Sequence, residues 1–440
     1  MTNQGHLLRV LGVVFGLAAV VGSVIGQGIL RSPGVVAEAS GSSWVIMALW
    51  ALGALIAIVS AMPFAELGAA IPNCGGPYAY TTRAFGEKAG VAIAFSVLIA
   101  FVTAEAWLAF VVGEFLFRIG VGAGRLSPAV LGLAVLALFC AVNAAGTRVG
   151  GASQVVLSVL KGTVLLGLVV IFFAQPSAAA AVPPATGQAG WLAFATAMML
   201  VIGTYNGWGD VVLYGEEIDN PGRSIPRALF GGIAGVAVLY LLVNYALLHL
   251  LTAPGMAGST FAAADAAGIV FGARGDTVLT AFGILSVGAI TSLGLMSSTR
   301  MTYAAARAGL LPRWMARVGR RGTPIWAMLF VAGLAALFIV SGTYLALASA
   351  SVAINQFNLI AVGACAIALR RREPEMLRPF RVPWFPLTIG LGLLVNTALL
   401  VVFIVEDPLY ALSGFALVGL LWAGYLLFAR RSPQETEEQA

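Results

Sequence analysis

Runs of apolar residues, each long enough to cross a bilayer at roughly 20 residues per helix, follow one another along the whole chain with only short polar stretches between them. The pattern predicts twelve spans, near residues 10–30, 43–70, 89–117, 128–146, 152–174, 190–214, 229–252, 277–306, 324–341, 343–369, 386–404 and 409–429. Two of these are interrupted from within. In the first, Gly26 and Gly28 stand one residue apart, around Gln27, where helix should continue; each glycine in a helix interior costs about 1 kcal/mol relative to alanine. In the sixth, the run Gly203-Thr204-Tyr205-Asn206-Gly207-Trp208-Gly209-Asp210 sets three glycines, an Asn and an Asp in the same situation. Unwound backbone inside a membrane is tolerated only where it is buried in protein or lines a cavity. Both breaks are therefore expected to offer bare amides and carbonyls to a ligand.

The interruptions fall in matching positions of two five-span halves, the pattern of an inverted-repeat transporter with its site near the bilayer midplane. The expected fold is an all-α membrane protein with twelve transmembrane helices in one transporter domain over residues 1–440. Residues 10–174 form the first five-helix repeat, 190–369 the second, and 386–429 helices 11 and 12. The uncharged, Pro- and Ala-rich loop 175–190 is the expected midpoint. Arg31-Ser32-Pro33-Gly34 reads as a turn to the outside, and residues 71–80 as a cytoplasmic loop forming part of an inner gate or a short interfacial helix.

Composition narrows the class. At 60% hydrophobic and 10% charged, 440 residues leave no room for a sizeable soluble domain. The first run is too long and too glycine-rich for a cleaved signal peptide. The net charge of +6 does not point to nucleic acid, because Lys and Arg gather on alternate loops. Arg9, Arg83, Lys88, Arg148, Arg223, Arg227, residues 307–321, residues 370–381 and Arg430–Arg431 share one side, against Arg31, Arg118, Arg125 and Arg274 on the other. The positive-inside rule makes the first side cytoplasmic, with both termini there, in a cell (inner or plasma) membrane. Cys74, Cys140 and Cys365 have no metal spacing, and His6 and His249 stand apart. Neither a nucleophile triad, a metal set nor a P-loop is present, so the expectation is no enzyme activity, no cofactor and no direct use of ATP.

Ionisable residues inside spans are costly and usually face a cavity or a partner. Lys161, one of only two lysines, lies about ten residues into the fifth span; the competing reading is that it snorkels to the interface. Glu105, at the centre of the third span, is either a cavity group or a packing residue satisfied by a hydroxyl. Asp210 reads first as a helix-packing group, and Tyr205 and Trp208 as gate or packing aromatics.

Further stretches complete a recognisable set. They are Gly26-Gln27-Gly28-Ile29 with Pro33, Glu66-Leu67-Gly68 with Gly75-Gly76-Pro77-Tyr78, Asn206-Gly207-Trp208, Glu216-Glu217-Ile218-Asp219-Asn220-Pro221, the stretch from Arg300 to Pro312, and Arg378-Pro379-Phe380. In this order and spacing the chain resembles the amino acid–polyamine–organocation superfamily, and within it the L-type amino acid transporter branch, over nearly its whole length. The resemblance implies the five-plus-five inverted-repeat fold with two extra helices, and alternating access for amino acids.

Carried over by position, it implies that amides around Gly26, Gln27 and Gly28 hold the substrate carboxylate, as helix N-termini hold anions. Carbonyls near Val24, Gly203 and Asn206 would hold the α-ammonium, and Asn358 would shape the side-chain pocket. Lys161 would stand in for the sodium ion of related carriers, tying spans 1, 5 and 8 together with Ser286 as its partner. Three positions depart from the family pattern: Gln27 replaces a small residue, Gly203 replaces a bulky aromatic gate, and Ala308 replaces an acid. The expected function is a secondary carrier for small neutral amino acids, by exchange or proton-coupled symport. Lys161 and Glu105 motivate the proton version, since burial disfavours the charge on both. A permease for cationic or other amines, and a channel or sensor on the same scaffold, are the alternatives. Eukaryotic relatives join a heavy chain through a cysteine in the loop after span 3; residues 120–127 contain none, so no such disulfide-linked partner is expected.

Overall fold

The computed structural model of the chain describes residues 7–429 apart from 27, 123–124, 178–190, 258, 260, 342–343 and 407. Among the described residues the architecture is all-helical. The helices are α1 (Val13–Val24), α2 (Gly28–Ser40), α3 (Ser43–Ala70), α4 (Pro77–Phe85), α5 (Glu87–Arg118), α6 (Pro128–Ala144), α7 (Thr147–Phe173) and α8 (Trp191–Thr204). After a short 3-10 helix at Trp208–Tyr214 come α9 (Pro221–Met256), α10 (Ala262–Phe271), α11 (Gly275–Arg307), α12 (Ile325–Ser341), α13 (Tyr344–Arg372), α14 (Leu387–Glu406) and α15 (Pro408–Ala429). Eight helical stretches are long and apolar enough to cross a membrane, or nine if the bent pair α1–α2 counts as one. The expected spans at 128–146, 190–214 and 324–341 correspond to shorter pieces, namely α6, α8 with the 3-10 helix, and α12. The chain is a multi-pass membrane protein. Most of the expected midpoint loop 175–190 lies outside the described residues.

One expected turn is replaced by helix. Arg31, Ser32, Pro33 and Gly34 lie inside α2. The glycine serves packing here: a Cβ on Gly34 would sit 2.1 Å from the Ser259 carbonyl oxygen, so its missing side chain admits the neighbouring backbone. The 71–80 region does contain a short helix, α4, entered through Gly76 at φ 45 with Pro77 in its first turn, where a missing N–H breaks no helical bond. Helix α9 starts eight residues before the expected span, because Asn220 in the left-handed region and Pro221 initiate it beside the preceding loop.

Long-range polar contacts close the end of the bundle where the predicted cytoplasmic loops gather. Arg300 of α11 and Glu217, both essentially inaccessible, pair at 2.7 Å. Thr147 at the start of α7 donates to the same carboxylate at 3.2 Å, and the guanidinium lies over the Tyr214 ring. The Glu217 backbone carbonyl accepts from the amides of Val10 and Leu11, and the Asp219 amide donates to the Leu11 carbonyl at 2.8 Å. The entry to α1, the exit from the 3-10 helix, α7 and α11 are thus clamped at one point. Nearby, Glu66 of α3 receives Arg370 and the Val382 amide. Outside the spanning segments, burial pushes the Glu216 carboxyl up, but the Arg307 guanidinium and the Cys74 amide outweigh it and leave the group below its ordinary value.

Replacing Arg300 with methionine leaves Glu217 buried without its cation, a loss of about 3–5 kcal/mol. The detergent-solubilised R300M protein is expected to lose its monodisperse fraction at a clearly lower temperature than the parent. An unchanged midpoint would show that the clamp contributes nothing.

Candidate functional site

The first span breaks as its glycines require. Helix α1 stops at Val24, Ile25 is extended (φ −69, ψ 95), and α2 resumes at Gly28 with the axis turned by 49°. Such a break strips carbonyls of their helical donors, and an unpaired polar group costs several kcal/mol in an apolar surrounding. Lys161, wholly buried on α7, supplies the replacement. Its ammonium donates to the carbonyls of Gly22 and of Ile25, the latter at 2.7 Å, and reaches the Ser286 carbonyl at 3.4 Å. The Ser286 hydroxyl donates to the Ile25 carbonyl at 2.8 Å. One turn earlier, the Ser158 hydroxyl donates to the Ala18 carbonyl at 2.7 Å. Helices α1, α7 and α11 are therefore joined at the break, and Lys161 does not snorkel.

The sixth-span interruption lies against the first. Gly207 adopts φ 111, a conformation that residues with a Cβ rarely take, and a Cβ there would stand 2.9 Å from the Ser23 carbonyl oxygen. Gly28 is equally constrained, since a Cβ would meet the Thr204 hydroxyl at 2.7 Å. The Tyr240 hydroxyl of α9 sits between the two breaks, 2.8 Å from the Val24 carbonyl and 3.3 Å from that of Thr204. Tyr240 packs with Tyr205 and Trp50, ring centroids 5.0 to 6.0 Å apart.

Two cavities open from the unwound part of the sixth span. One, of about 220 Å³, has Glu105, Asn206, Asp210, Asn355 and Asn358 in its wall, among apolar neighbours such as Phe64, Phe101 and Leu108. The other, of about 260 Å³, is lined by Gly203, Asn206, Trp208, Asn355, Gln356 and others. Trp208 stands edge-on to Phe64 at 5.2 Å. Nothing lies within 4 Å of a Cβ built on Gly203, so no neighbour closes against that position.

The residues singled out from sequence fall into three places. Val24, Gly26, Gly28, Gly203, Tyr205, Asn206 and Trp208 meet at or beside the paired breaks, although the Val24 carbonyl already accepts from Tyr240. Gln27 lies outside the described residues. Lys161 and Ser286 sit together behind the first break. Glu105 is separate from them, in the wall of the 220 Å³ cavity with Asn358, whose side-chain oxygen accepts from Ser96. The carboxyl of Glu105 has no hydrogen-bond partner among the described residues, so the hydroxyl-satisfied packing reading does not describe it. Asp210, read first as packing, lines the same cavity. Sequence reasoning missed Tyr240 and Asn355. Three amides in four residues, Asn355, Gln356 and Asn358, were the available signal for the latter, since positions i and i+3 share a helix face. No group of three or more metal-ligating side chains occurs among the described residues.

Comparison with known proteins bears on this arrangement. The family model described as amino acid permease matches residues 11–425. The serine/threonine exchanger SteT of Bacillus subtilis (strain 168) is 27% identical over 391 residues, covering 88% of this chain and 89% of its own. The Asc-type amino acid transporter 1 of Mus musculus is 28% identical over 94% of this chain and 79% of its own. The human large neutral amino acids transporter small subunit 2 is 29% identical, with the same two coverages. These relatives are transporters, not enzymes.

The two glycines of the sixth span are expected to respond oppositely. Gly207→Ala forces a Cβ toward Ser23 and a positive φ on alanine, a strain of about 1–3 kcal/mol, and should lower the thermal midpoint of the purified protein. Gly203→Ala, with open space around the new Cβ, should leave it within a degree or raise it. Equal behaviour would contradict the close approach of the two breaks.

Proposed function

The chain belongs to the amino acid permease family, and from that premise we propose that it is a secondary carrier that moves small neutral amino acids by alternating access. The observation that carries the reading is the meeting of two interrupted helices, Ser23 against Gly207, beside a buried ammonium. In this reading the chain crosses the membrane twelve times. Residues 10–174 and 190–369 are inverted repeats, 386–429 supply two further helices, and both termini are cytoplasmic in the cell membrane.

The amides of residues 26–28 hold the substrate carboxylate, aided by the positive end of α2. Carbonyls at Val24, Gly203 and Asn206 receive the α-ammonium, with Tyr240 giving up part of its hold on Val24. Tyr205 and Trp208 close over the substrate, and Asn358 shapes the space for its side chain. Lys161, with Ser286, provides the fixed positive charge that an ion supplies elsewhere, and movement of the first span is felt at its ammonium. The loop after the third span has no cysteine for a disulfide-linked heavy chain, and the carrier acts without one.

Transport is driven by exchange or by proton-coupled symport, and one assay separates the two. In proteoliposomes, uptake of labelled serine or alanine that requires internal amino acid marks exchange; accumulation on an imposed pH gradient alone marks symport. Flux that never saturates with concentration would instead mark a channel and overturn the carrier reading. Lys161→Ala should cut the rate at least tenfold in protein that still purifies as a monodisperse species. Normal uptake by that variant would remove the lysine from the mechanism.

A further inference from the structure

We propose that the Glu105 and Asp210 wall of the cavity beside the paired breaks is a subsite for a cationic side-chain terminus, so that amino acids with a short ammonium-bearing side chain are substrates alongside small neutral ones. The proposal rests on the transport reading above and extends its substrate class. Glu105 is 1% exposed, and neither carboxyl oxygen has a hydrogen-bond partner among the described residues. A buried carboxyl in this state is unusual, because most buried polar side chains are satisfied. Its place is made for it by a neighbour: a Cβ on Gly294 of α11 would lie 1.9 Å from Oε1. The oxygen thus occupies the volume of a missing side chain at the cavity edge.

Asp210 enters the same cavity from the 3-10 helix. Neither Lys nor Arg is among the residues lining that cavity. Lys161 is bound to the first break, and Arg300 is committed to Glu217. Two carboxyls in one cavity wall repel each other's charge, and a cationic terminus placed there relieves that repulsion. The remaining wall suits a short cationic side chain. Phe101 and Leu108 offer apolar surface for its methylenes, and Asn355 and Asn358 add amide groups to the same wall. The cavity is continuous with Asn206 and Gly207, so a substrate with its α-groups at the breaks directs its side chain inward.

Lysine and norleucine share a chain length and differ in the terminal ammonium, which makes them the natural pair. In proteoliposomes preloaded with alanine, lysine or ornithine is expected to half-saturate at a concentration at least tenfold below norleucine. Glu105→Gln should raise the lysine value at least tenfold relative to the alanine value measured in the same preparation, and Asp210→Asn should move the ratio in the same direction. Norleucine equal to or better than lysine would overturn the proposal. So would an unchanged lysine-to-alanine ratio in both variants, or loss of both substrates together in both. Alanine transport without lysine preference defeats this inference alone, whereas absence of any amino acid transport by the parent protein defeats the reading on which it rests.

Discussion

A helix broken inside a membrane leaves carbonyls with no donor, and here the ammonium of Lys161 meets that need. By bonding to Gly22 and Ile25, with the Ser286 hydroxyl as a second donor to Ile25, it keeps the first span unwound without leaving polar groups stranded in an apolar surrounding. Lysine suits this role because its compact charge carries three donors on a flexible stem, enough to serve carbonyls from two helices. Removing it would expose those acceptors and uncouple three elements at once, since α1, α7 and α11 have this contact in common.

The second break depends on the first. Gly207, in the left-handed region, lies against the Ser23 carbonyl in the last turn of α1, and Tyr240 serves the carbonyls of Val24 and Thr204 from a third element. The far end of the same helices is held by the Arg300–Glu217 pair and by backbone bonds from Val10 and Leu11. The first span is thus fastened at its entry and at its midpoint by separate polar clusters.

Much of this was legible in the chain. Gly26 and Gly28, and the Gly203–Gly209 run, announced the breaks because helix propensity and membrane burial conflict most sharply at glycine. Lys161 stood out as a lone cation in an apolar run, and the resemblance to a known family pointed to Ser286. What stayed hidden depends on tertiary distance. That Gly34 serves close packing inside a helix and not a turn shows only in the carbonyl of Ser259, more than two hundred residues away in sequence. That Asp210 and Glu105 share one cavity wall is likewise invisible to local reading. Tyr240 looked like one more aromatic in an apolar span until its hydroxyl was placed between two unwound segments. The pairing of Glu217 with Arg300 was equally beyond local reading, although both residues lay in stretches that marked the family.

A structure of the full-length protein with a bound amino acid would test this arrangement most directly. The ligand carboxylate should lie against the amides of residues 26–28 and the α-amino group against the carbonyls around Asn206. The side chain should point toward the cavity of Glu105 and Asn358, and Lys161 should still hold the Ile25 carbonyl. A ligand seated away from the junction of Ser23 and Gly207, with both breaks empty, would contradict the account.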